Sequence, residues 1–88
     1  MMVSMARWTY DNLRAFQGKV AHVWSTGGEA MTARVLLVDE EHGDLVLDVL
    51  ATDQPERYER LGRHYRSAGW VMPFEFILEI RVTDEPSP

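Results

Sequence analysis

Apolar and polar residues alternate with a period of two in several short segments of this chain, which are separated where glycine, proline or clustered acids stand. The stretch around which the rest is arranged is Ala30 to Ala51, AMTARVLLVDEEHGDLVLDVLA. Its two runs of branched apolar residues, Ala30 to Val38 and Leu45 to Leu50, flank the polar sequence DEEHGD and predict a hairpin. In the second run Leu45, Leu47 and Val49 share one face, while Asp48 marks the face shared by Val46 and Leu50 as the wetter one. The first run is long enough to serve two sides of a small barrel if it bends, and Ala33 or Arg34 is where a bend is expected.

Upstream, Val20, His22 and Trp24 alternate against Ala21 and Val23, and Ser25-Thr26-Gly27-Gly28 supplies a tight turn, so a first hairpin precedes the central one. Before it, RWTYDNLRAFQGK reads as one short helix with Thr9 as N-cap, Asp11 in the first turn and Gly18 as the stop. Tyr10, Leu13 and Phe16 form its apolar stripe, and so short a helix needs a surface to lie on. Downstream, residues 53–69, DQPERYERLGRHYRSAG, break the alternation. Pro55, Tyr58, Leu61 and Gly62 predict a helical turn or two followed by a mobile basic loop. WVMP and FEFILEIRV then give two last strands divided at Pro73, with Phe76, Leu78, Ile80 and Val82 alternating against Ile77, Glu79 and Arg81. The pattern predicts a mainly β chain: a small, strongly bent, five-stranded antiparallel barrel with an N-terminal α-helix. One domain spans residues 6–83, with loop 53–69 inserted and flexible tails at 1–5 and 84–88.

Eighty-eight residues, 45% hydrophobic and 26% charged, suit one globular domain near the size at which self-association helps a small core. The absence of cysteine removes disulfides, thiolate nucleophiles and cysteine-based zinc sites, and fits a reducing compartment, so a cytoplasmic location is expected. No stretch has the length or hydropathy of a signal peptide or membrane span, and no membrane partner is expected. Fourteen acids against nine bases give a net charge of -5, which opposes long-range attraction to a phosphate backbone unless the bases cluster.

They cluster at Arg57, Arg60, Arg63 and Arg66, interleaved with Tyr58, His64 and Tyr65. Rings that stack bases beside guanidinium groups that hold phosphates are what single-stranded nucleic acid requires, and this is the strongest functional signal in the chain. The plainer reading, which carries more weight, pairs these arginines with Glu56 and Glu59 on a solvated surface. Asp39, Glu40, Glu41, His42 and Asp44 match no calcium-loop order and read as a solvated hairpin tip, so no metal is expected. His22, His42 and His64 lack an i, i+4 pair, and Ser4, Ser25 and Ser67 lack a nucleophile's surroundings. No enzyme and no cofactor is expected.

A helix followed by five strands, with Gly18, Val20 and Val23 in a G-x-V-x-x-V pattern, the Gly27-Gly28 turn, VLLVD at Val35 to Asp39, LVLDV at Leu45 to Val49 and the closing FEFILEI, resembles the Sm-like family. The resemblance runs from Arg7 to Val82 and points to a divergent bacterial or phage-type member. It implies an SH3-like barrel that joins its fourth strand to the fifth strand of the next copy, closing a homo-oligomeric ring. The contact would use Val71 and Met72 on one edge and Ile77, Leu78, Ile80 and Val82 on the other. It also implies RNA as a partner. Asp39 matches the family's uridine pocket, but Pro73, Phe74 and Glu75 stand where its Arg-Gly pair would fall, reversing the sign of the field. RNA binding would then use a non-standard set, Arg57, Arg60, Arg63, Arg66 and Tyr65 with Asp39. The other expectations are a groove lined by Tyr58, Tyr65 and Trp70 that takes a peptide or protein partner, and an accessory subunit of a larger complex.

Overall fold

The computed structural model describes residues 8–61, 64–66 and 68–83, with the backbone alone for 59–61, 64–66 and 68. A single helical turn, α1 (Tyr10–Leu13), runs into a 3-10 turn over Arg14–Phe16, and five strands follow in one antiparallel sheet: β1 (Val20–Ser25), β2 (Ala30–Asp39), β3 (Asp44–Thr52), β6 (Ala68–Pro73) and β7 (Ile77–Val82). Between β3 and β6, a 3-10 turn at Pro55–Arg57 leads to a separate two-stranded ribbon of β4 (Glu59–Leu61) and β5 (His64–Arg66). The strand order in the sheet is β6-β3-β2-β1-β7. The sheet is not closed into a barrel: β6 and β7, consecutive in the sheet-forming chain, lie on its two opposite edges. Among the described residues no helix is long and apolar enough to cross a membrane.

One face of the sheet carries the core. Ala21 and Val23 of β1, Met31, Ala33, Val35 and Val38 of β2, and Leu45, Leu47 and Val49 of β3 are all buried, as the period of two requires. Burying each large aliphatic side chain contributes about 1.5–3 kcal/mol, which is what holds a helix of one turn in place. Leu13 is fully buried, and Tyr10 and Phe16 pack beside it against the same cluster. The Thr9 amide donates to Asn12 Oδ1 at 2.7 Å, closing the start of α1.

The bend arises from bulges. Four register steps leave one residue each without a cross-strand partner: Leu36 on β2, Leu50 on β3, Gly69 on β6 and Leu78 on β7. A bulge bends its strand and raises the local twist. On β2, where a bend is expected at Ala33 or Arg34, the extra residue is Leu36, and the register step beside Thr32 and Ala33 puts its extra residue, Leu50, on β3. Gly69 adopts φ +84°, which admits its bulge without strain. The three bulged leucines are each roughly half exposed. Burial phase slips at each of them, so Ile77 and Ile80 face the core while Phe76, Leu78 and Val82 are exposed, in place of the single alternating stripe expected from Phe76 to Val82.

A 3-10 turn at Phe74–Phe76 joins the two edge strands, and it is held at both ends. The Phe74 amide donates to the Gly43 carbonyl in the β2–β3 turn at 2.9 Å, and the Thr26 amide in the β1–β2 turn donates to the Phe76 carbonyl at 2.9 Å. The insertion also departs from expectation. In place of a basic loop after its first turn, it forms the β4–β5 ribbon, in which Glu59 faces Arg66 and Arg60 faces Tyr65. The tails at 1–5 and 84–88 lie outside the described residues.

Candidate functional site

Glu29 is the least expected residue of the structure. It follows the Gly27-Gly28 turn and stands in phase with Met31, Ala33 and Val35, so the period that buries those side chains buries a carboxylate as well, to 1% exposure. A buried carboxylate costs several kcal/mol unless donors surround it. Three do. Arg57 Nη1 donates to Oε1 at 2.7 Å, Tyr58 Oη donates to Oε2 at 2.9 Å, and Thr52 Oγ1 also donates to Oε2. The Glu29 amide donates to Ser25 Oγ at 3.2 Å, and Thr52 Oγ1 accepts the Gln54 amide at 3.0 Å. Asp53 and Ala30 exchange two bonds, the Ala30 amide to Asp53 Oδ1 and the Asp53 amide to the Ala30 carbonyl, both at 3.0 Å. Together these contacts seat the root of the insertion on the start of β2.

Burial and, next, the Glu29 carboxylate raise the Tyr58 hydroxyl well above its ordinary value of 10.0. An acid whose value is raised by folding contributes stability below the unfolded value and loses it as pH rises beyond that value. In an ultraviolet titration, Tyr58 is therefore expected to ionise only together with alkaline unfolding. A phenolate signal from all three tyrosines at ordinary alkaline pH, with the fold intact, would contradict this arrangement.

Arg57 reaches Glu29 from the solvent side: its side chain is 45% exposed where the carboxylate is 1%. The guanidinium lies over the Trp70 ring, 5.8 Å from its centroid, and the Tyr58 ring meets Trp70 edge-on at 4.8 Å. Beside them opens a cleft of about 360 Å³, walled by the β1–β2 turn at Ser25–Gly27 on one side and by Trp70, Met72, Pro73 and Phe76 on the other. A second, shallower hollow of about 240 Å³ lies on the sheet beside His22, Trp24 and Thr32. There His22 Nδ1 pairs with Thr32 Oγ1 at 3.0 Å, and Arg81 covers the Trp24 ring while bonding Glu79 at 3.2 Å.

Of the residues expected to hold RNA, Arg57 is in the cleft and ion-paired. Arg60 lies on β4 and Tyr65 and Arg66 on β5, as opposed ribbon positions whose side chains are outside the described residues, as is Arg63 altogether. Asp39 stands at the far end of β2 from Glu29 and Arg57. The His42 ring donates to its Oδ2 at 2.8 Å, and this bond holds the Asp39 carboxyl below the usual carboxylate range. The proposed groove also changes: Tyr58 is buried rather than exposed, and only Trp70 of the expected aromatics is shown to line the cleft. Among the described residues no three histidines or acids stand close enough to share a metal ion.

The expected contact residues divide in the same way. Val71, Leu78 and Val82 are exposed on the two edge strands of the sheet, whereas the side chains of Met72, Ile77 and Ile80 are buried in the chain's own core and only their backbone lies on those edges. Val71 also ends an apolar row across the sheet's outer face, Leu37 opposite Val46 and Val46 opposite Val71. Comparison with protein-family models, curated proteins and solved structures finds no match to this chain.

Glu29 and Thr52 escape a search for chemistry because neither belongs to a motif. The available signal was an acid in phase with three core residues immediately after a turn, which requires a cationic or hydroxyl partner from elsewhere in the chain.

Proposed function

We propose that this protein is a non-enzymatic binding and scaffold module that assembles through its sheet edges, β7 of one copy pairing antiparallel with β6 of the next, in the manner of Sm-like proteins. The observation that carries this reading is the pair of edges to which, among the described residues, no further strand is paired. Each is six residues long, and each carries exposed apolar side chains, Val71 on β6 and Leu78 and Val82 on β7. An open edge with apolar flanks is a template for another strand, and natural chains cover or charge such edges unless they are used. The two edges differ, so their contact is head to tail, and repetition closes a ring when the rotation permits. The strand order β6-β3-β2-β1-β7, bent by bulges and linked across its edges by a short 3-10 turn, supports the Sm-like, SH3-like reading of the fold.

A protein partner, here another copy, is favoured over RNA by the charge arrangement. The net charge of -5 opposes long-range attraction to a phosphate backbone, and Arg81 is paired with Glu79. Amide hydrogen exchange across a dilution series tests the reading. Outward amides of β6 and β7 are expected to be protected at high concentration and to exchange freely on dilution, while β2 stays protected throughout. Edge exchange that is fast at every concentration would overturn it.

A further inference from the structure

The cleft between the β1–β2 turn and β6 presents a cation whose counter-charge is hidden. Glu29 borders the cleft but is 1% exposed, and its carboxylate already accepts three donors, so the charged group that an approaching ligand reaches is the outer side of the Arg57 guanidinium. A guanidinium has five N–H donors in a planar fork, and the contact with Glu29 uses one nitrogen, Nη1. The Trp70 ring beneath it and the ion pair behind it fix the fork's orientation, which lowers the entropy cost of engaging a ligand. The wall on the β6 side is apolar, Met72, Pro73 and Phe76 with Trp70, and the facing wall is the polar Ser25–Gly27 turn. A volume of about 360 Å³ lies at the small end of ligand pockets, enough for one ring or one side chain.

We infer that this cleft is a binding site for a carboxylate attached to a compact apolar body, the carboxylate pairing with the Arg57 fork and the body resting against Trp70 and Phe76. A neutral polar group would gain little from a cation already ion-paired, and a second cation would be repelled. A carboxylate matches the fork's two-point geometry. The inference does not depend on edge pairing. The same chemistry occurs in free carboxylic acids and in protein segments where an acid adjoins proline, as Glu85 adjoins Pro86 in this chain.

The test is an NMR titration of the full chain, following the Trp70 indole and Arg57 Nε resonances. Three probes are compared: phenylacetate, its neutral isostere phenylacetamide, and an acetylated, amidated peptide of sequence TDEPSP. Phenylacetate is expected to shift both resonances saturably with a Kd of about 1 mM, as suits ten heavy atoms. Phenylacetamide should bind about tenfold more weakly or worse, having lost the charge-assisted bonds. A tighter response to the peptide than to phenylacetate assigns the site to protein segments, and the reverse order assigns it to free acids. Equal shifts with acid and amide, or no saturable shift at Trp70 and Arg57 with either carboxylate probe, would overturn the inference. Arg57→Lys keeps a cation beside Glu29 but loses the fork, and unchanged phenylacetate affinity in that folded variant would also overturn it.

Discussion

Replacing Arg57 by alanine is expected to lower the unfolding free energy by about 3 kcal/mol, the low end of the range for breaking a buried ion pair. The cost comes from what stays behind. Glu29 remains buried at 1% exposure with only the Tyr58 and Thr52 hydroxyls to solvate it, and those two donors keep the loss from being larger. Lost stacking of the guanidinium on Trp70 adds a smaller share, about 0.5–1 kcal/mol at so exposed a site. Removing the charge as well, in Arg57→Ala with Glu29→Gln, should recover part of the loss, because an amide needs no counter-ion. Urea midpoints of the wild type, both single variants and the double variant measure the coupling. If the double variant falls by the sum of the two single losses, Arg57 and Glu29 are energetically independent and the cluster does not seat the insertion.

The second large effect concerns assembly. Val71→Lys places a charge on the β6 edge and Leu78→Lys places one on the β7 edge, at positions 52% and 51% exposed. Neither should change the stability of a single copy beyond about 0.5 kcal/mol. A head-to-tail contact uses one edge from each partner, so either substitution alone stops growth, and each variant is expected to sediment as a monomer. Mixed together they have a different fate. The intact β7 edge of the Val71→Lys copy can still join the intact β6 edge of the Leu78→Lys copy, and a one-to-one heterodimer with no larger species is predicted. An isologous contact, with the same patch on both sides, gives no such complementation. Either variant remaining multimeric on its own would remove its residue from the contact.

The parts of the fold that depend on local alternation were legible in the sequence. Leu45, Leu47 and Val49 lie buried as their spacing required, Ala21 and Val23 face inward against His22 and Trp24, and the turns fall at Ser25–Gly28 and at Asp39–Asp44. What could not be read is what bulges and long-range contacts decide. A bulge adds one residue without altering composition, so the slip at Leu78 that sends Ile77 inward has no signature in FEFILEI. The insertion misled for a related reason. Its arginines recur every three residues as on a helix, yet short strands paired at Glu59 with Arg66 and Arg60 with Tyr65 satisfy the backbone instead. The candidate site was half legible. Arg57 and Trp70 stood out by residue type, but their meaning depends on Glu29, twenty-eight residues earlier in the chain, and only the folded chain brings the two together.

Edge pairing can be settled by the native mass spectrum of the protein purified from cells without nuclease treatment. A single closed multimer with the mass of bare protein is the predicted result. A multimer carrying mass that ribonuclease removes would keep the ring and restore RNA as its ligand. A monomer at micromolar concentration would contradict the edge-pairing reading outright, leaving a bent sheet whose exposed Val71, Leu78 and Val82 serve some other contact.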